Sequence, residues 1–270
     1  MLVKPAPSGD DQSDMSSRSQ RLLLVVVALV VAAAATSTVT VPAEAARAPL
    51  PDRLSHLGDS RQVVVVTAAD WSTSHARLQA WQLGHDGLWR RVMEPVHARI
   101  GWNGFALAAN RKQGSGETPA GTFRLLRGFG LDEPAGVDLP YQVLDANDWW
   151  PYDPKDAATY NVFQLRRVPD AHWRTTWAED LHSFRRQYRF AVVLNYNLPS
   201  GIHRVDGQRV ATVPADTSKG GGIFLHVKVN GPTAGCVAVS RPNMRHLLRW
   251  LDPADNPVIV MGPAALISTL

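Results

Sequence analysis

A single cysteine, Cys236, stands among 270 residues. No internal disulfide can staple this chain, so its fold has to rest on a buried core, and the length suffices for one substantial domain or two small ones. One domain is the expectation. The N-terminus adds a compartment to the argument. A polar start carrying Lys4, Arg18 and Arg21 leads into an apolar run over 22–35 and then into Ala43-Glu44-Ala45, which has the small-x-small form of a cleavage site. Residues 1–45 therefore read as an export signal. An uncleaved anchor is the alternative, since the run with its extension through Val41 approaches membrane-spanning length. Exported proteins usually carry cysteines in pairs, and an unpaired thiol there is a liability unless its reactivity is used. On count alone, a buried inert thiol stays equally open.

Residues 46–60 mix Ala, Pro and charge without periodicity and read as a linker, with the folded domain expected over 61–262 and a tail over 263–270. The β-branched run 62–68 reads as a strand. Segments 78–83 and 88–93 flank His85-Asp86-Gly87, whose Asp-Gly pair signals a hairpin. Further strands are expected at 121–126, 190–196, 223–229 and 258–261. Two helices are expected. The first covers 177–189, where Leu181, Phe184 and Tyr188 recur at three and four residues. The second starts at Ser240, an N-cap with Pro242 in the first turn, and carries Met244, Leu247, Leu248 and Leu251 to a stop at Pro253. A mixed, strand-dominated domain follows.

The stretch Gly220-Gly221-Gly222-Ile223-Phe224-Leu225-His226-Val227 and the stretch Asn230-Gly231-Pro232-Thr233-Ala234-Gly235-Cys236-Val237 carry the chemistry. A strand bearing His226 and a Gly/Pro-broken loop ending at Cys236 can bring imidazole and thiol together. An imidazole nearby lets a thiol reach the attacking thiolate form near neutral pH. Gly235, with no side chain, leaves backbone amides free to face a developing oxyanion.

These residues resemble the L,D-transpeptidase catalytic domain family of the YkuD type. Its motif, a histidine on a strand, a loop, then Ser/Thr-His-Gly-Cys, is met by His226 and Thr233-Ala234-Gly235-Cys236 at all positions but one. Thr118-Pro119-Ala120-Gly121-Thr122-Phe123 is similar to the family's Thr-Pro-x-Gly-x-Phe segment. Trp149-Trp150-Pro151, Tyr160-Asn161 and Tyr196-Asn197 resemble a subgroup of exported bacterial members. Ala234 replaces a common histidine and Ala238 a common Arg or Asn, which puts substrate preference in question.

The resemblance implies a predominantly β, sandwich-type domain with a few short helices, acting outside the cytoplasm on peptidoglycan stem peptides. Cys236 would be the nucleophile, His226 the base, and the amides of Gly235 and Cys236 the oxyanion site. Thr233, Ala234, Tyr160, Asn161, Tyr196 and Asn197 would face substrate. His203 is expected on a solvated loop, and Trp149 and Trp150 in packing rather than on sugar rings. This chemistry calls for no metal or other cofactor, and His75, His85, His97, His172, His182, His203 and His246 show no zinc-site spacing.

A net charge of +4 and a pI near 9.5 suit an anionic partner, but the excess is scattered, as in Arg166, Arg167, Arg185 and Arg186, and no nucleic-acid signature accompanies it. Peptidoglycan is the expected partner, with no nucleic acid, the membrane met only through the signal segment, and a monomer the expected state. Two rivals remain: a carboxypeptidase or wall hydrolase with the same Cys-His pair, and a silent wall-binding module. A papain-like hydrolase fits poorly, since there the cysteine precedes the histidine.

Overall fold

The computed structural model describes residues 48–165 and 171–270; the expected export signal 1–45, with Arg166 and Arg167, lies outside the described residues. The strands are β1 (Gln62–Ala68), β2 (His75–Leu83), β3 (Trp89–Arg99), β4 (Phe105–Leu107), β5 (Thr118–Gly130), β6 (Tyr141–Val143), β7 (Trp149–Pro151), β8 (Ala178–Asp180), β9 (Ala191–Leu194), β10 (Ser200–Val205), β11 (Gln208–Val213), β12 (Phe224–Val227), β13 (Val237–Val239) and β14 (Val258–Pro263), with one helix, α1 (Arg241–Trp250). A predominantly β domain is what the sequence led us to expect.

The main sheet runs β14-β1-β2-β3-β13-β12-β9-β5, and β5 pairs β14 as well, so the sheet folds back on itself. The long β5 makes this closure by giving residues 121–124 to β14 and residues 125–129 to β9, with an irregularity between Leu125 and Arg127. On the other side the halves are joined by one pair, Arg99 with Ala238. The result is a sandwich with two well-paired layers.

Residues alternate across these strands, as the period of two requires. Val64, Val66, Leu78, Leu125, Val192, Leu225 and Val237 face a buried interior, into which α1 inserts Met244, Leu247 and Leu248 and its C-cap residue Leu251 follows. The Ser240 side chain caps that helix by accepting from the Asn243 amide. Outward neighbours do not face water either. Phe129, Ala191, Val193 and Phe224 pack under Leu144, Trp150, Phe163, Leu181 and Tyr188, side chains from the excursion between β5 and β9.

Three expectations are corrected. Residues 177–189 are not a helix: Ala178–Asp180 pairs with Trp149–Pro151, and two 3-10 turns, Leu181–Ser183 and Gln187–Arg189, follow. Leu181 and Tyr188 are buried as their spacing suggests, but strand pairing to β7 outweighs the local helical pattern. The expected linker is packed from Ala48 onward, with Leu50, Leu54 and Leu57 lying against Val63, Val65 and Trp81 on the outer face of β1 and β2. The expected tail closes the same face: Ile267 is buried there, and the Ser268 carbonyl accepts from the Ser55 amide and hydroxyl. Those strands carry apolar residues on both faces, so the outer one needs a cover.

Candidate active site

Strands β12 and β13 run parallel, with His226 opposite Ala238. Parallel neighbours usually need a dozen or more residues between them; here residues 228–236 make the crossover alone. Gly231 and Gly235 permit it by taking φ values of 76° and 138°. This short return sets Cys236 one position before β13 and beside the strand that carries His226. Both residues lie on the outer face of the sheet, beneath the excursion that supplies Tyr188 and Glu179.

The Cys236 thiol donates to the Gly222 carbonyl at 3.3 Å, and its sulfur accepts from the Phe224 amide at 3.4 Å. His226 Nδ1 lies 2.9 Å from the Val227 carbonyl. That contact requires the proton on Nδ1 and leaves Nε2 as an acceptor. The Tyr188 ring meets the imidazole edge-to-face at 5.8 Å, and the Tyr188 hydroxyl donates to Glu179 Oε2 at 2.6 Å.

Burial sets the charge states. It pushes the thiol up to about 12, with Glu179 acting in the same direction and the Phe224 amide and Arg111 opposing. Burial also pushes the imidazole down to about 4, against the opposing Val227 hydrogen bond. Burial thus pushes both groups toward their neutral forms, and it opposes the thiolate near neutral pH that the sequence suggested. Burial likewise raises the Glu179 carboxyl, against the phenols of Tyr188 and Tyr152.

Two cavities meet at Cys236. One, of about 220 Å³, is lined by His226, Tyr188, Thr233 and Ala238. The other, of about 360 Å³, is lined by Arg111, Tyr152, Trp102, Trp177 and the glycines 220–222. Cys236, Ala234 and Glu179 belong to both. Thr233 Oγ1 donates to the Cys236 carbonyl at 2.6 Å and accepts from the Gly235 amide at 3.1 Å. The Gly235 amide is thus occupied, which corrects the expectation that it faces an oxyanion. Among the described residues the Cys236 amide has no such acceptor.

The aromatic-Asn pairs lie elsewhere than expected. Tyr160, Asn161, Tyr196 and Asn197 line neither cavity at Cys236. Asn161 Oδ1 accepts from the Gly222 amide and from Trp150 Nε1, both at 2.8 Å, while its Nδ2 donates to the Asn197 carbonyl at 2.6 Å. Asn197 Nδ2 donates to the Gly220 carbonyl at 2.7 Å, and Tyr196 donates to the Lys219 carbonyl at 3.1 Å. Tyr160 donates to Gln113. These side chains hold the glycine segment whose carbonyl orients the thiol.

Trp149 and Trp150 are packing residues, against Trp173 and Phe163 respectively. His203 is exposed on the β10–β11 hairpin. Among the described residues no group of three or more His, Cys, Asp or Glu converges as a metal site, and no helix is long and apolar enough to cross a membrane.

Sequence reasoning missed Glu179, Tyr152 and Arg111. Tyr188 was seen only as core. Glu179 gives no local signal, because pairing with a strand 29 residues earlier places it, as Trp150 opposite Glu179 shows. Arg111 immediately precedes the segment leading into Thr118-Pro119 and could have been read with it.

The sequence matches the L,D-transpeptidase catalytic domain (YkuD) family over residues 71–260. No curated protein and no solved structure matches it.

Proposed function

The chain belongs to the L,D-transpeptidase catalytic domain family, and from that premise we propose that it is an exported acyltransferase in which Cys236 takes the acyl part of a peptidoglycan stem peptide as a thioester. The observation that carries this reading is that the thiol, one residue before β13, and an imidazole on the adjacent β12 with an unprotonated Nε2 line one cavity.

The thiol sulfur attacks the carbonyl on the L-centre of the third stem residue as its proton passes to His226 Nε2. The carbonyl oxygen becomes an oxyanion, for which the Cys236 amide is the available backbone donor. Collapse breaks the C–N bond, and His226 returns the proton to the departing D-residue amine. An amine from a second stem then attacks the thioester, gives its proton to His226, and releases the thiol with formation of a crosslink. Water in place of that amine gives a carboxypeptidase. Export rests on the segment 1–45, and a monomer suffices for this chemistry because both groups come from one chain.

Incubation of the full chain with a thiol-reactive β-lactam should give one covalent adduct at Cys236, and with stem peptides it should give crosslinked dimers detected by mass spectrometry. Adduct without dimers, but with loss of the terminal residue, would establish the hydrolytic alternative. A silent wall-binding module requires no adduct with the parent and a clear one after Ala234→His.

A further inference from the structure

Arg111 is 3 % exposed, and among the described residues no carboxylate lies within ion-pair distance of it. Its Nε donates to the Glu117 carbonyl at 2.7 Å and its Nη1 to the Lys219 carbonyl at 2.6 Å. Two neutral backbone groups thus fix the guanidinium plane, and neither engages Nη2. The ring of Tyr196 lies under the guanidinium at 5.5 Å. A buried cation is costly unless an anion answers it, and among the described residues none stands within ion-pair distance.

The free side of the group faces the nucleophile. Arg111 lines the 360 Å³ cavity together with Cys236, and a Cβ on Gly235 would come within 2.8 Å of Nη2. A Cβ on Gly220 would likewise run into Nη1. Glycine at both positions keeps the guanidinium uncovered. Among the described residues Arg111 and Glu179 are the only formally charged side chains lining this cavity, and Ala234 brings no charge from the crossover side.

We infer that Arg111 is the carboxylate-binding group of the acyl-donor cavity, holding a free carboxylate of the donor peptide beside the bond that Cys236 attacks. This deepens the function proposed above and rests on it. A planar guanidinium held by its Nε and Nη1 edge offers Nη2 to a carboxylate oxygen, the charge-assisted geometry that arginine supplies best. Two carboxylates of a stem peptide present that chemistry: the terminal one on the departing residue, and the one on the side chain of a diamino acid in third position.

Three synthetic tetrapeptide donors separate them: the free acid, its terminal amide, and the amide of the third-residue side-chain carboxylate. Acylation of the full chain should be about 10- to 100-fold slower in kcat/KM with one of the two amides. Arg111→Gln should slow the free acid to the rate of that amide and leave the amide itself within a few-fold of the parent, and Arg111→Lys should restore part of the gap. Equal rates for all three donors with the parent overturn the inference, as does an Arg111→Gln variant that slows every donor by the same factor. If Arg111→Gln does not fold, the parent's own donor series decides. A parent that forms the β-lactam adduct yet ignores both carboxylates sinks this inference alone. A parent that forms no adduct with β-lactam or peptide sinks the acyltransferase reading and this inference with it.

Discussion

Cys236 and His226 line one cavity, and burial pushes each toward its neutral form. With the thiol near 12 and the imidazole near 4, the proton moves only as the sulfur attacks. Alkylation of Cys236 by iodoacetamide should therefore keep accelerating above pH 9, with no plateau between pH 5 and 8; a neutral plateau would reveal a preformed ion pair. Cys236→Ser should abolish acyl-enzyme formation with little change in stability, since the hydroxyl is nearly isosteric but a far weaker nucleophile. His226→Ala should slow acylation by about two to four orders of magnitude, and a loss under tenfold would move the base elsewhere. The depressed imidazole also bears on stability. Its contribution is complete above the unfolded value of 6.5 and is lost as pH falls through about 4. The melting temperature of the parent should accordingly fall more steeply over that interval than that of His226→Asn.

The segment 220–222 and the crossover 228–236 build the site together, and the first is held by side chains that line neither cavity at Cys236. Asn161 is the clearest case, with four hydrogen bonds that tie β7, the Tyr196-Asn197 turn and Gly222. Asn161→Ala leaves buried donors and acceptors unmatched, at a cost of about 2–3 kcal/mol in denaturant unfolding. Acylation should slow as well, because the Gly222 carbonyl orients the thiol. Unchanged acylation at full occupancy of the fold would show that the glycine segment positions itself. In α1, Leu247→Ala should cost about 2–5 kcal/mol and Ser240→Ala about 1 kcal/mol, from cavity formation and loss of the cap respectively.

Across the whole molecule, both ends of the domain cover the outer face of β1, β2 and β14. A chain beginning at Arg61 loses Leu50, Leu54 and Leu57 from Val63, Val65 and Trp81, and it should melt several degrees below one beginning at Ala48; equal melting temperatures would mean that this cover is dispensable. The core strands were legible because β-branched runs such as 62–68 and 258–261 state their conformation locally, and α1 was legible because its cap, its first-turn proline and its apolar spacing agree. Cys236 and His226, the nucleophile and base we propose, stand out because each sits in a short run of breakers and strand formers. The β10–β11 hairpin was missed although Asp206-Gly207 carries the same turn signal as Asp86-Gly87. Residues 177–189 went wrong because a helical spacing of apolar residues is also met by a strand followed by turns, once a partner strand is present. The sequence by itself thus determined the strand content, the single thiol and the family. Only the tertiary structure decided that burial pushes the thiol and the imidazole toward neutrality, that the aromatic-Asn pairs hold the glycine segment, and that Arg111 and Glu179 share a cavity with the thiol. Charge state, access and long-range pairing depend on which distant surfaces remove water from a group, and no local run of residues encodes that.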